Sequence, residues 1–313
     1  MSPTILVVGS TGNTGKAVTE TLSKELSSSS FAQHRIIALT RSLKGSAAQQ
    51  LSKLNHIDMV EEDWTMIDAD WLKKHEVERI FIASHNGVSH FTDESLFLTY
   101  ALEAGVKYVV RISTTKANIA PNTAVFYARN HWAVETMLST PEFADLAFTS
   151  LQPNVFTAYT IPGCVAWLRS FRETGLQQPL KLMADESAAV AVVDGAEVGV
   201  IAAKLLIQED IAPHSGKRYV VAGPEDITGR GLVELVEQYA GTKVENVVFR
   251  DRSWLDHASD TPKNVVNSLA LAPRTGWRGE TSLKAAPTSP EILDLYTPKN
   301  SPYEALERAL GNL

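Results

Sequence analysis

Cysteine is nearly absent. Cys164 is the only one in 313 residues, which excludes an internal disulfide and a thiolate metal cluster. Long apolar runs are missing as well: the most apolar stretch, 188–206, is broken by Asp194 and Glu197, and a membrane-spanning helix needs about 20 apolar residues. The first apolar run already begins at Thr4; no leader is read before it, and the cytoplasm is the expected compartment. There is no excess of positive charge. The net charge of −7 argues against nucleic acid or an anionic membrane as partner. The eight histidines are scattered, and His85 and His90 lack the spacing and third ligand of a zinc site, so no metal is expected. The chain is otherwise of ordinary globular composition, long enough for a domain of about 150 residues and a second, smaller region.

What is present begins with the run from Ile5 to Val8, which leads into Gly9, Gly12 and Gly15 and then into a helical pattern. Strand, glycine-rich turn and helix in that order read as a dinucleotide site. Gly9 permits the tight turn, Gly12 lets backbone approach a pyrophosphate, and Gly15 lets the helix pack close to the sheet. Thr11, Asn13 and Thr14 complete the loop, and the helix N-terminus offers unpaired N–H groups to phosphate.

A second apolar strand, Arg35 to Thr40, ends in Arg41-Ser42-Leu43-Lys44. An NAD-selective site would carry an acid there for the ribose 2′-hydroxyl. Arg41, helped by Ser42 and Lys44, suits a 2′-phosphate instead, so the expected cofactor is NADP(H). A third strand ending near Asp63 and Trp64 places those two side chains beside the adenine.

Strand and helix patterns alternate to about residue 155, which predicts an α/β fold: a doubly wound parallel sheet of the Rossmann type over residues 1–155. Residues 156–313 read as a smaller mixed α/β region that covers substrate, with some elements returning to pack on the first domain. Pro162, Gly163, Gly175 and Pro179 loosen the pattern up to Ala184, and Val190 to Val193 reads as a strand.

Ligands in such sheets lie beyond the carboxyl ends of the strands. Ser113 follows the strand ending at Ile112, and Tyr127 and His131 lie four apart on one face of the next helix. A tyrosine hydroxyl there can give a proton to a carbonyl oxygen that Ser113 hydrogen-bonds. Ser84 and His85, after the strand ending at Ala83, are further cofactor or substrate contacts. Trp167, Phe171 and Trp254 are apolar enough to cover an aromatic substrate.

The glycine pattern, Ser113 and Tyr127 resemble an atypical short-chain dehydrogenase. Thr40-Arg41, the Pro153-Asn154-x-Phe156 turn, Val192-Val193-Asp194 before a helix, and Val221-Ala222-Gly223-Pro224 are similar to the NmrA-like family within that group. The resemblance implies that Pro153, Asn154 and Phe156 line the nicotinamide face. It also implies an NADPH-dependent reductase of a small carbonyl, enone or quinone-like substrate, with Tyr127 as proton donor. Short-chain dehydrogenases have a lysine where this chain has His131; histidine can still contact cofactor or substrate, but is largely neutral at pH 7. Two other readings stay open: a dinucleotide-sensing regulator that binds a protein partner, and a non-redox isomerase or dehydratase using Tyr127 and His131.

Overall fold

The computed structural model describes residues 2–257 and 261–311. The first half alternates as the apolar pattern predicts: β1 (Thr4–Val8), α1 (Gly15–Glu25), β2 (Arg35–Thr40), α2 (Ser46–Leu51), β3 (Ile57–Glu61), α3 (Ala69–Lys74), β4 (Val77–Ile82), α4 (His90–Ala104), β5 (Tyr108–Ile112), α5 (Phe126–Met137) and β6 (Ala147–Pro153). The second half adds α6 (Thr157–Thr174), β7 (Leu180–Lys181), α7 (Gly195–Leu206), β8 (Lys217–Val221), α8 (Gly229–Ala240), β9 (Val247–Val248), α9 (Lys263–Leu269), α10 (Arg274–Trp277), α11 (Pro290–Leu293) and α12 (Pro302–Gly311).

The main sheet has seven parallel strands in the order β3-β2-β1-β4-β5-β6-β8. Strand β1 shows why its sequence is apolar throughout: Ile5 and Val7 enter the core on the α1 and α7 side, Leu6 and Val8 the core under α3, α4 and α5. Both faces are covered, so no polar alternation survives. The order reverses between β1 and β4, and the loops beyond their carboxyl ends flank the crevice in which this architecture binds ligands.

Helix α7 supports that crevice from behind. A Cβ on Gly199 would lie 2.4 Å from the Thr14 carbonyl oxygen, so only glycine admits the loop so close there, and one on Gly195 would press on Asn13 Cβ at 3.3 Å. At the other end of α7, the buried Arg79 of β4 donates to the carbonyls of Leu206 and Gln208 at 2.6 and 2.7 Å. Those are acceptors that a helix end otherwise leaves unpaired. Glu197 of α7 accepts from the Tyr296 hydroxyl and from the Lys299 and Asn300 N–H groups, which ties the C-terminal segment to the sheet.

Two stretches differ from their sequence reading. Residues 157–174 form one helix with Pro162 inside it. A proline in a helix interior costs about 3 kcal/mol, but Ile161, Val165, Trp167 and Leu168 are buried together, at roughly 1.5–3 kcal/mol each. Burial wins. The helix stops at Gly175, whose φ of 69° closes it. Residues 190–193 form only isolated bridges, Val190 to Ile227 and Val193 to Phe156, rather than a strand.

Candidate functional site

The glycine loop is built by close approach. Gly9 has φ +81° and a Cβ there would lie 2.9 Å from the Ala83 carbonyl oxygen; a Cβ on Gly15 would lie 2.1 Å from the Gly9 oxygen. The Gly12 N–H closes the turn onto the Gly9 carbonyl at 3.0 Å. Thr14, the residue before α1, makes no side-chain cap. Among the described residues, the N–H groups of Asn13, Thr14 and Gly15 therefore have no protein acceptor. Uncapped N–H groups and the helix dipole suit an anion.

The loop beyond β2 is held by bonds between its backbone and nearby side chains. Thr40 donates to the Ser42 carbonyl, Ser42 Oγ accepts from Lys44 N–H, and Glu61 accepts from Leu43 N–H at 2.8 Å. Arg41 and Lys44 are exposed, and their charged ends have no partner among the described residues. Asp63 accepts from both the N–H and the hydroxyl of Thr65 and so caps the turn at 64–66. Trp64 packs edge-on against Phe97 at 5.6 Å and His85 at 6.1 Å, which links the β3 and β4 loops.

At the end of β5, the Ser113 hydroxyl is buried and has no hydrogen-bond partner. Such an orphaned group suits a ligand oxygen. Tyr127 is half-buried; burial raises its phenol pKa and the neighbouring Thr114, which sequence reasoning passed over, acts in the opposite sense, with a net shift upward. At neutral pH Tyr127 is protonated. Its ring stands 6.5 Å from that of His131, whereas no hydrogen bond joins Tyr127 to Ser113 among the described residues. The start of α5 is held from the C-terminal region: Ser268 of α9 accepts from Phe126 N–H at 2.7 Å and donates to the Ala124 carbonyl.

His131 is not open to the crevice. The residue is 2% exposed, with Nδ1 3.0 Å from Arg111 Nη2 and Nε2 3.1 Å from Asn86 Oδ1. Burial, Arg111 and His90 hold its pKa well below the usual histidine value, against the opposing pull of Glu94. Behind it lies a buried ionic network. Arg111 Nε meets Glu94 Oε1 at 2.7 Å, while Glu94 Oε2 accepts from His90 Nε2 at 2.6 Å and Ser84 Oγ at 2.7 Å. Burial would raise the Glu94 pKa, but Arg111 and His90 outweigh it and lower it. Arg111 also bonds Ser150 Oγ and approaches Glu135, which Gln152 and Arg218 hold from the other side. The signal for this network was an arginine inside an otherwise apolar strand and a carboxylate four residues after His90.

Sequence spacing did not bring three donors together as the fold does: ligand atoms of His90, Glu94 and His131 lie within 4.8 Å of one another. Metal chemistry is opposed by the neighbour. Arginine can only donate, so His131 Nδ1 accepts, the proton resides on Nε2, and neither nitrogen is free to ligate.

The remaining expected residues divide. Ser84 is committed to Glu94 and His90. His85 is exposed and lies 3.5 Å from Asp93. Asn154 is buried and donates to the carbonyls of Thr281 and Ala286, which pins that segment over the end of β6. Pro153 pairs with Val221 in the sheet, and Phe156 packs against the core beside α7 with Tyr159, 64% exposed, next to it. Trp167 and Phe171 stack at 5.1 Å within the α6 core; Trp254 is exposed. An open cavity of about 490 Å³ lies between the β4 loop, the first turns of α5 and α9, lined by Val88, Phe126, Arg129, Asn130 and Asn267.

The parallel sheet, its reversal at β1 and β4 and the glycine turn define a Rossmann-type α/β protein. The chain belongs to the NmrA-like family, which matches residues 1–282. Among solved structures it is similar to an NADPH-dependent quinone oxidoreductase from Escherichia coli complexed with NADPH (21% identity, TM-score 0.69, covering 98% of this chain and 99% of that chain). It is equally similar to a triphenylmethane reductase from Citrobacter sp. complexed with NADP(H), with the same identity, TM-score and coverage. A UDP-glucuronic acid 4-epimerase from Bacillus cereus aligns at 14% identity and a TM-score of 0.61 over 79% of this chain and 85% of that one. No curated protein matches the sequence. No helix among the described residues is long and apolar enough to cross a membrane.

Proposed function

We propose that the protein is an NADPH-dependent reductase of a small carbonyl, enone or quinone-like compound. The observation that carries this reading is Tyr127, a half-buried phenol kept protonated by burial at the start of the helix that borders the crevice, with the orphaned Ser113 hydroxyl at the end of β5. The residues fit the cofactor. The free N–H groups of Asn13, Thr14 and Gly15 would hold the pyrophosphate; Arg41 and Lys44 would hold the 2′-phosphate. Likeness to two reductases solved in complex with NADPH or NADP(H) supports the choice.

When bound, NADPH supplies the hydride. Tyr127 donates the proton to the developing oxyanion. Ser113 offers its unpartnered hydroxyl to the same oxygen. Residues 156–313 complete the substrate side, with Tyr159 as an exposed aromatic wall beside Phe156. The test is turnover of NADPH with a panel of quinones, enones, aldehydes and ketones, with Tyr127→Phe beside the wild type.

One observation favours a second reading, a redox sensor that binds dinucleotide and a protein partner. Among the described residues no cation acts on Tyr127 to ease its ionisation, and His131, its pKa held well below the usual value, is neutral and buried. NADPH binding without turnover of any compound would select that reading.

A further inference from the structure

We propose that Asn86 is a cofactor-binding residue, whose carboxamide Nδ2 is aimed as a hydrogen-bond donor at a dinucleotide hydroxyl by a polarity relay from Arg111 through His131. This rests on the cofactor reading above. The direction of the relay follows from chemistry alone. A guanidinium has donors and no acceptor, so Arg111 Nη2 must donate to His131 Nδ1, 3.0 Å away. A neutral imidazole that accepts at Nδ1 carries its proton on Nε2. His131 Nε2 therefore donates to the Asn86 oxygen at 3.1 Å, and the Asn86 amide nitrogen is left directed away from the network.

Each link is held. Arg111 is fully buried and fixed by Glu94 and Ser150, so it cannot turn away; the His131 ring is packed edge-on against His90 at 4.5 Å. Asn86 itself is exposed, with no protein acceptor for Nδ2 among the described residues. It sits in the loop directly beyond β4, three residues after Ala83, whose carbonyl oxygen abuts Gly9. That is the switch-point crevice, where a dinucleotide passes. A neutral donor there suits a hydroxyl oxygen.

The test is NADPH titration by fluorescence with wild type, Asn86→Ala, Asn86→Asp, His131→Leu, His131→Gln and the Asn86→Ala/His131→Leu double variant. Loss of one such hydrogen bond predicts a Kd about 5-fold higher for Asn86→Ala. Asn86→Asp still accepts from His131 but presents no donor, so it weakens binding at least as much; a residue that only braces the loop would tolerate it. His131→Gln, which can accept and donate in the same sense, stays within 2-fold of wild type. The double variant is no weaker than the more affected single, because both remove one contact. Wild-type binding with an unchanged Kd in Asn86→Ala and Asn86→Asp overturns the relay and leaves the reductase reading standing. No NADPH binding by the wild type overturns both. If His131→Leu does not fold, the two Asn86 variants, on an exposed loop, still decide.

Discussion

Arg111 Nε and Glu94 Oε1 meet at 2.7 Å with neither side chain exposed to solvent. Removing one member of a buried pair strands the other charge, at about 3–5 kcal/mol. Arg111→Met and Glu94→Gln should each lower unfolding stability in urea by about that amount. The Arg111→Met/Glu94→Gln double variant should be clearly less destabilised than the sum of the two, because no unpaired charge remains. Strict additivity would show that the pair is not coupled.

His131 gives a pH dependence with a definite sign. Its pKa is lowered in the folded protein by burial, Arg111 and His90, so below about pH 6.5 the unfolded chain takes up a proton that the folded one refuses. Stability is fully present above that pH and declines as pH falls, by up to about 1.4 kcal/mol per pH unit for this group. Glu94 and Glu135 face the same cluster from α4 and α5, and the folded-state pKa of Glu94 is lowered, which confines its loss of stability to pH below its ordinary range. Thermal unfolding of wild type and His131→Gln between pH 5 and 7.5 should show the shallower slope in the variant. Equal slopes would place the titrating group elsewhere.

Gly199 and Thr14 bind the second half of the chain to the phosphate loop. Gly199→Ala puts a methyl 2.4 Å from the Thr14 oxygen, and overpacking of this kind costs about 1–3 kcal/mol. Because the atom that must move is loop backbone, the NADPH Kd should rise along with the loss of stability. A variant that unfolds earlier but binds NADPH as the wild type does would show that the loop is not supported by α7.

Arg41 is exposed and its guanidinium has no partner among the described residues. Arg41→Ala should weaken NADPH by roughly 10-fold or more, the size of a lost hydrogen bond to a charged group, with NADH little changed. Equal losses for both cofactors would remove the 2′-phosphate role.

Much of this was legible in the sequence because it was local. The run Ile5 to Val8 with Gly9, Gly12 and Gly15 specifies strand, turn and helix within a dozen residues, and Arg41 is placed by the strand it ends. The α6 helix was hidden by Pro162 and Gly163, since its burial depends on α8 and α12, far along the chain. The role of His131 was hidden for the same reason. Spacing put it on the face of Tyr127, but its partners Arg111 and Asn86 come from two other loops or strands, and a neighbour that can only donate is visible only in three dimensions. Asn154 likewise finds its acceptors, Thr281 and Ala286, more than a hundred residues away.

Tyr127 remains the residue on which the reductase account turns. The measurement is NADPH oxidation, followed by absorbance, with the best compound of a quinone, enone, aldehyde and ketone panel, for wild type and Tyr127→Phe, with NADPH Kd determined on the same samples. The account predicts turnover at least 10-fold lower in Tyr127→Phe with Kd within about 3-fold of wild type, since only a group used in the transition state has been removed. Undiminished turnover in Tyr127→Phe would contradict it.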